Sequence, residues 1–169
     1  MHIEFVSGRI FIDDLKAFLK TTADISKANG CIIQAINADK IAGEKHLYFA
    51  VTKALRAFEQ GRNAAKDMGI EIMRYASGKR QIEEAFSMGV FQGRNNIVFV
   101  VIGEEDSVPS CADILKEMIV PVDVIQYLLS KREGLILQFG ITADEITVVG
   151  EQMVPELVIE RVALVDVLK

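Results

Sequence analysis

The stretch Glu71-Ile72-Met73-Arg74-Tyr75-Ala76-Ser77-Gly78-Lys79-Arg80-Gln81-Ile82-Glu83-Glu84-Ala85 reads as a strand that breaks at Ser-Gly and runs straight into a helix. Residues 70–75 form the strand and residues 80–88 the helix, which ends near Gly89. Lys79, Arg80 and Gln81 fall at the helix start, where free backbone N–H groups attract anions. A basic corner of this kind can hold a phosphate. An ordinary turn with solvated charges accounts for the same residues equally well.

Outward from this corner, residues 3–6 give a first strand ended by Ser7-Gly8, and residues 31–36 a second. The continuous apolar run 97–102 fits a central strand covered on both faces. A helix follows Asp13. A longer one spans about 43–65, with Leu47, Val51, Ala54, Leu55 and Phe58 on one stripe and Lys53, Arg56 and Arg62 on other faces. Further helices are expected at 111–119 and 121–138, the second with Pro121 at its first position and Gly134 weakening it. Thr142 caps a short turn of helix. Residues 155–168 are rich in β-branched residues, yet Leu157, Arg161, Leu164 and Leu168 keep helical spacing, so both a helix apolar over most of its circumference and a buried strand fit. The order of elements predicts an α+β fold: a small mixed four-stranded sheet packed with helices, plus a helical C-terminal flank, in one domain over 1–169.

Half of the 169 residues are hydrophobic, which excludes a disordered chain. No apolar run is long enough for a bilayer, so no membrane partner is expected. The first residues lack a secretory pattern, and Cys31 and Cys111 read as buried thiols of a reducing compartment, the cytoplasm. Residues 1–103 carry 14 Lys+Arg against 11 Asp+Glu, and residues 104–169 carry 5 against 13. An acidic last third beside a mildly basic body suggests faces with different partners.

The motifs of catalysis are missing. His2 and His46 are the only histidines, there is no Cys-x-x-Cys, and neither a nucleophile elbow nor a Walker loop is complete: Met73 and Arg80 stand where that loop needs glycine and a hydroxyl. No enzyme activity, metal or cofactor is expected, and His46 reads as a structural hydrogen-bonding residue. What remains is binding. Arg74, Lys79, Arg80 and Arg94 surround one strand–helix unit, and Met88-Gly89 offers an apolar shelf for a base. Such a surface suits the end of a nucleic acid better than a long duplex, which demands a larger basic footprint.

Three blocks in this order, Ile36-Asn37-Ala38-Asp39 with Gly43 to Ala50 (GEKHLYFA), Glu71 to Ala85, and Glu160 to Val167 (ERVALVDV), resemble the smallest, Cgi-type subunit of the KEOPS complex, the PRPK-binding protein family. The most specific part is Ser-Gly-x-Arg-Gln-Ile, complete here as Ser77, Gly78, Arg80, Gln81 and Ile82. The resemblance implies a non-catalytic subunit of the complex that makes threonylcarbamoyladenosine in tRNA. It implies docking on the kinase-like ATPase subunit, which neighbours the threonylcarbamoyl transferase subunit, and recruitment of tRNA by its single-stranded 3′ CCA end. Carried over by position, Arg74, Ser77, Gly78, Lys79, Arg80, Gln81, Met88 and Gly89 would bind RNA. Leu157, Ile159, Leu164 and Val165 would face the kinase-like partner. A module that activates the kinase-like subunit without touching RNA is the alternative, favoured by the net acidity.

Overall fold

The computed structural model describes residues 1–167. In chain order the elements are β1 (His2–Ile12), α1 (Leu15–Asn29), β2 (Ile32–Asn37), α2 (Glu44–Glu59), α3 (Met68–Ala76) and α4 (Ile82–Ala85), then β3 (Gly93–Gly103), α5 (Ser107–Lys116), β4 (Val120–Pro121), α6 (Arg132–Phe139), α7 (Ala143–Val149) and α8 (Val154–Leu164). They form two compact units, residues 1–38 with 89–124, and residues 39–88 with those from 125 on.

The first unit carries the sheet, in the order β2-β3-β1-β4. The α+β class and a four-stranded sheet match the sequence reading, but only three of the expected strands are in it, β4 standing where residues 70–75 were expected, and the pairing is antiparallel throughout rather than mixed. β3 is central, as its apolar run requires, and Ile97 to Ile102 are all fully buried. Ile97, Phe99 and Val101 share a core with Phe18, Val108 and Leu115 from the helices of this unit. β1 does not stop at Ser7-Gly8. It pairs with β3 over eleven residues, from His2 opposite Gly103 to Ile12 opposite Gly93. Gly8 marks a close approach instead: a Cβ there would sit 2.3 Å from the Val120 carbonyl oxygen, so glycine is what lets the edge strand β4 pair at Gly8 and Arg9.

The second unit is helical. α2 is shorter than its periodicity suggests, because Gly61 takes the left-handed conformation (φ 65°). The Gly61 N–H donates to the Phe58 carbonyl and the Arg62 N–H to the Ala57 carbonyl, the paired bonds of a Schellman ending. Residues 70–75, expected as the third strand, are helix α3. The Asp67 side chain accepts from the Ile70 N–H and caps it, and Glu71 pairs with Arg74 one turn on. Gly69 and every residue from Glu71 to Ala76 are buried, and a short helix buried all round has no polar face to betray its period.

The single helix expected over 121–138 is also corrected. Pro121 ends an edge strand, where its missing N–H is tolerated. Helix begins only at Arg132, passes through Gly134 and stops at Gly140, which is left-handed (φ 60°). The Lys131 ammonium is buried there, donating to the carbonyls of Ile41 and Ile125. Thr142 caps α7 as expected, with Glu145 closing a reciprocal capping box. The C-terminal segment is helix α8, opened by Pro155 near its start. Leu157, Val158 and Val154 enter a core with Leu135, Phe139 and Ile146. Leu168 lies outside the described residues.

Candidate nucleic-acid interface and partner-docking face

The Ser77-Gly78 corner joins two helices rather than a strand and a helix. α3 ends at Ala76, and Gly78 turns the chain with φ 69°. Its lack of a side chain is also needed for packing, since a Cβ would lie 2.9 Å from Cδ1 of Phe139. Ser77 is buried. Its hydroxyl donates to the Arg74 carbonyl at 2.7 Å and accepts from the Lys79 N–H at 3.1 Å, so it fixes the turn and is closed to a ligand. His46 on α2 holds the same corner from behind. Its Nδ1 accepts from the Ala42 N–H, which leaves the proton on Nε2 to donate to the Ala76 carbonyl, both at 2.9 Å. Burial is the main reason its pKa falls to about 4, so the ring is neutral near pH 7.

Arg74 is an internal strut. Its guanidinium makes a bidentate pair with Glu71 (2.7 and 3.0 Å), reaches the Arg80 carbonyl at 3.3 Å, and lies 4.7 Å from the centre of the Tyr75 ring. Glu71 is 0% exposed. It also accepts from the N–H groups of Ala64 and Ala65, tying the loop after α2 to α3. Arg80 and Gln81 follow the turn and are exposed, and among the described residues no side-chain partner holds either of them. α4 is a single turn, too short for a helix dipole to hold an anion, so the arginines carry whatever attraction exists here.

Those side chains meet in a cavity of about 300 Å³ lined by Arg62, Arg74, Arg80, Gln81, Val165 and Asp166. Arg62 and Asp166 are the residues that sequence reasoning did not assign. Asp166 accepts from the Tyr75 hydroxyl (2.6 Å), Arg62 (3.1 Å) and Lys53 (2.9 Å). Burial alone pushes its carboxyl up, but these donors outweigh it and hold the group below the ordinary aspartate range. Four cations, Lys53, Arg62, Arg74 and Arg80, thus stand around two carboxylates, Glu71 and Asp166.

Other expected residues lie elsewhere. Lys79 faces a separate cavity of about 420 Å³ with Lys40, Ser87, Gln138 and the exposed Leu137. Met88 is fully buried and offers no shelf to a base. Gly89 and Arg94 belong to the sheet-bearing unit.

A third feature is apolar. Tyr48, Phe49 and Thr52 on α2 and Ile159 on α8 line a groove of about 740 Å³, with Glu44 and Lys45 at its edge. Tyr48 is exposed, and Phe49 and Ile159 are partly so. Of the four residues expected to face a partner, Ile159 lines this groove and Leu164 is partly exposed. Leu157 is a core residue and Val165 lines the arginine pocket. Cys31 and Cys111 are buried, and burial, with Cys31 as neighbour, raises the Cys111 thiol to about 11, away from the reactive thiolate. No described helix is long and apolar enough to cross a membrane.

No curated protein matches the chain. Residues 13–166 match the family model described as kinase binding protein CGI-121. That match takes in both the arginine pocket and the apolar groove, and the family is named for binding a kinase rather than for a reaction. The chain belongs to the kinase-binding CGI-121 family.

Proposed function

We propose that this chain is the non-catalytic KEOPS subunit that docks on the kinase-like ATPase subunit and presents the 3′ CCA end of tRNA to the complex. Kinase binding is the family's property; the KEOPS setting and the RNA are our reading. The observation that carries it is the presence, in one helical unit, of two surfaces of opposite character: the groove of Tyr48, Phe49 and Ile159, and the pocket of Arg62, Arg74 and Arg80.

The groove is the docking face for the kinase-like subunit. Aromatic anchors beside an aliphatic residue, rimmed by one acid and one base, are the composition of an interface core and its rim. The pocket and the exposed Arg80-Gln81 pair suit a single-stranded end. A few phosphates are enough to engage Arg62 and Arg80, and the −5 chain needs no long basic track. The transferase subunit is reached only through the kinase-like partner, and the setting is the cytoplasm.

Calorimetric titration with the purified kinase-like subunit tests the reading. Wild type should bind. Ile159→Glu should lower the affinity at least a hundredfold while leaving the melting temperature nearly unchanged, because a charge at the centre of an interface is costly and Ile159 is only partly buried in the chain itself. Full affinity in Ile159→Glu would move the docking face elsewhere.

A further inference from the structure

A pocket built only to hold phosphate has no use for a carboxylate, yet Asp166 lines this one beside three arginines. Its side chain is 22% exposed, so it is open to a ligand as well as anchored. Anchoring is firm: Oδ1 accepts from the Tyr75 hydroxyl and from Nη1 of Arg62, and Oδ2 from the Lys53 ammonium. A carboxylate has about four acceptor sites, so Oδ2 retains one. Arg62 uses Nε on Gln60 and Nη1 on Tyr75 and Asp166. Its Nη2 has no such bond among the described residues. Asp166 and Arg62, bonded to each other at 3.1 Å, thus place an anionic acceptor and a cationic donor side by side in a lining that Arg80 and Gln81 share.

We propose that this pocket reads the terminal ribose of an RNA chain: one hydroxyl of the 2′,3′-diol donates to Asp166 Oδ2, its neighbour accepts from Arg62, and Arg80 holds the phosphate on the 5′ side. This rests on the reading that the chain binds RNA 3′ ends and adds to it a chemical criterion. Asp166 and Arg62 become the specificity-determining residues, and the favoured ligand is an RNA with an unmodified diol. A terminal 3′-phosphate would bring its charge against the Asp166 carboxylate and be rejected. An esterified or deoxygenated end would leave Asp166 without its donor, and a site built to bond a hydroxyl discriminates against the ligand that lacks it. No bond is made or broken.

The test uses the full chain and a short fluorescent RNA ending in CCA, prepared with a free diol, with a 2′,3′-dideoxy end and with a 3′-phosphate. Wild type should bind the diol end about tenfold or more tightly than either modified end. Asp166→Asn should narrow the gap to the 3′-phosphate to within about threefold, because the repulsion is gone. Arg62→Gln should weaken the diol end about tenfold and keep the rejection of the 3′-phosphate. Equal affinity of wild type for all three ends overturns the inference while leaving RNA recruitment intact. Binding of none of them overturns both. Since Asp166→Asn could loosen the C-terminal segment, its melt is recorded alongside. If that variant is unfolded, the three ends on wild type and on Arg62→Gln decide the matter.

Discussion

Two arginines six positions apart do opposite work. Arg74 is buried with Glu71, so removing its side chain strands a buried carboxylate. Arg74→Ala should cost about 3–5 kcal/mol of stability, the range for breaking a buried pair, and a thermal melt will show it as a drop of many degrees. Arg80→Glu should change the melt little, since an exposed side chain without a partner contributes within about 0.5 kcal/mol. It should instead weaken RNA binding and flatten its salt dependence by about one unit of slope. If Arg80→Glu unfolds the protein, the corner is structural. His46 gives a third expectation. Its folded pKa of about 4 lies below the ordinary value of 6.5, so the unfolded chain binds the extra proton between these two values. The contribution is complete above pH 6.5 and falls as the pH drops toward 4, by about 3 kcal/mol. A protonated ring would also aim Nδ1–H at the Ala42 N–H. Chemical denaturation at pH 7, 5.5 and 4.5 reads the slope, and His46→Gln should reduce it. At this scale the sequence was a partial guide. Ser77, Gly78, Arg80 and Gln81 stood out as a motif, and His46 read correctly as structural. The burial of Arg74 and Met88 did not show, because a side chain's exposure depends on partners distant in sequence, such as Phe139 beside Gly78. Asp166 was one acid among thirteen in residues 104–169.

Among the helices, those with a polar face were legible and those without were not. α1 and α2 show their period, and Thr142 with Glu145 announces α7 by its capping box alone. Thr142→Ala should therefore cost about 1 kcal/mol, seen as a modest shift in the denaturant midpoint with no change in its slope. β3 was plain from its apolar run. α3 reads as a strand in the sequence because burial on every side erases the helical alternation, leaving Asp67 as its cap signal. β4 was invisible: two residues, Val120 and Pro121, seated where Gly8 leaves room for a backbone. α8 was legible only as a choice between helix and strand. Its two exposures separate cleanly. Leu157 belongs to the core, so Leu157→Glu should unfold the helical unit, whereas Leu164→Glu, at a partly exposed position, should fold and weaken kinase binding. Circular dichroism followed by titration distinguishes the two, and loss of structure in both would place Leu164 inside the fold.

At the scale of the whole molecule, the described residues that line both candidate surfaces belong to the helical unit. The acidic last third fits this division: its carboxylates Glu145 and Glu151 are occupied by Arg161 and Arg132, and Asp166 is the one described carboxylate of that third in the lining of the arginine pocket. The central claim is that groove and pocket serve two partners at once. The direct test is to titrate whole tRNA, with and without its 3′ CCA, into the chain already saturated with the kinase-like subunit, at two salt concentrations. The account predicts a complex of all three, with an RNA affinity within about twofold of the free chain's, weakened by salt and lost when the CCA is removed. Displacement of the kinase-like subunit by tRNA, or binding indifferent to the CCA, would contradict it.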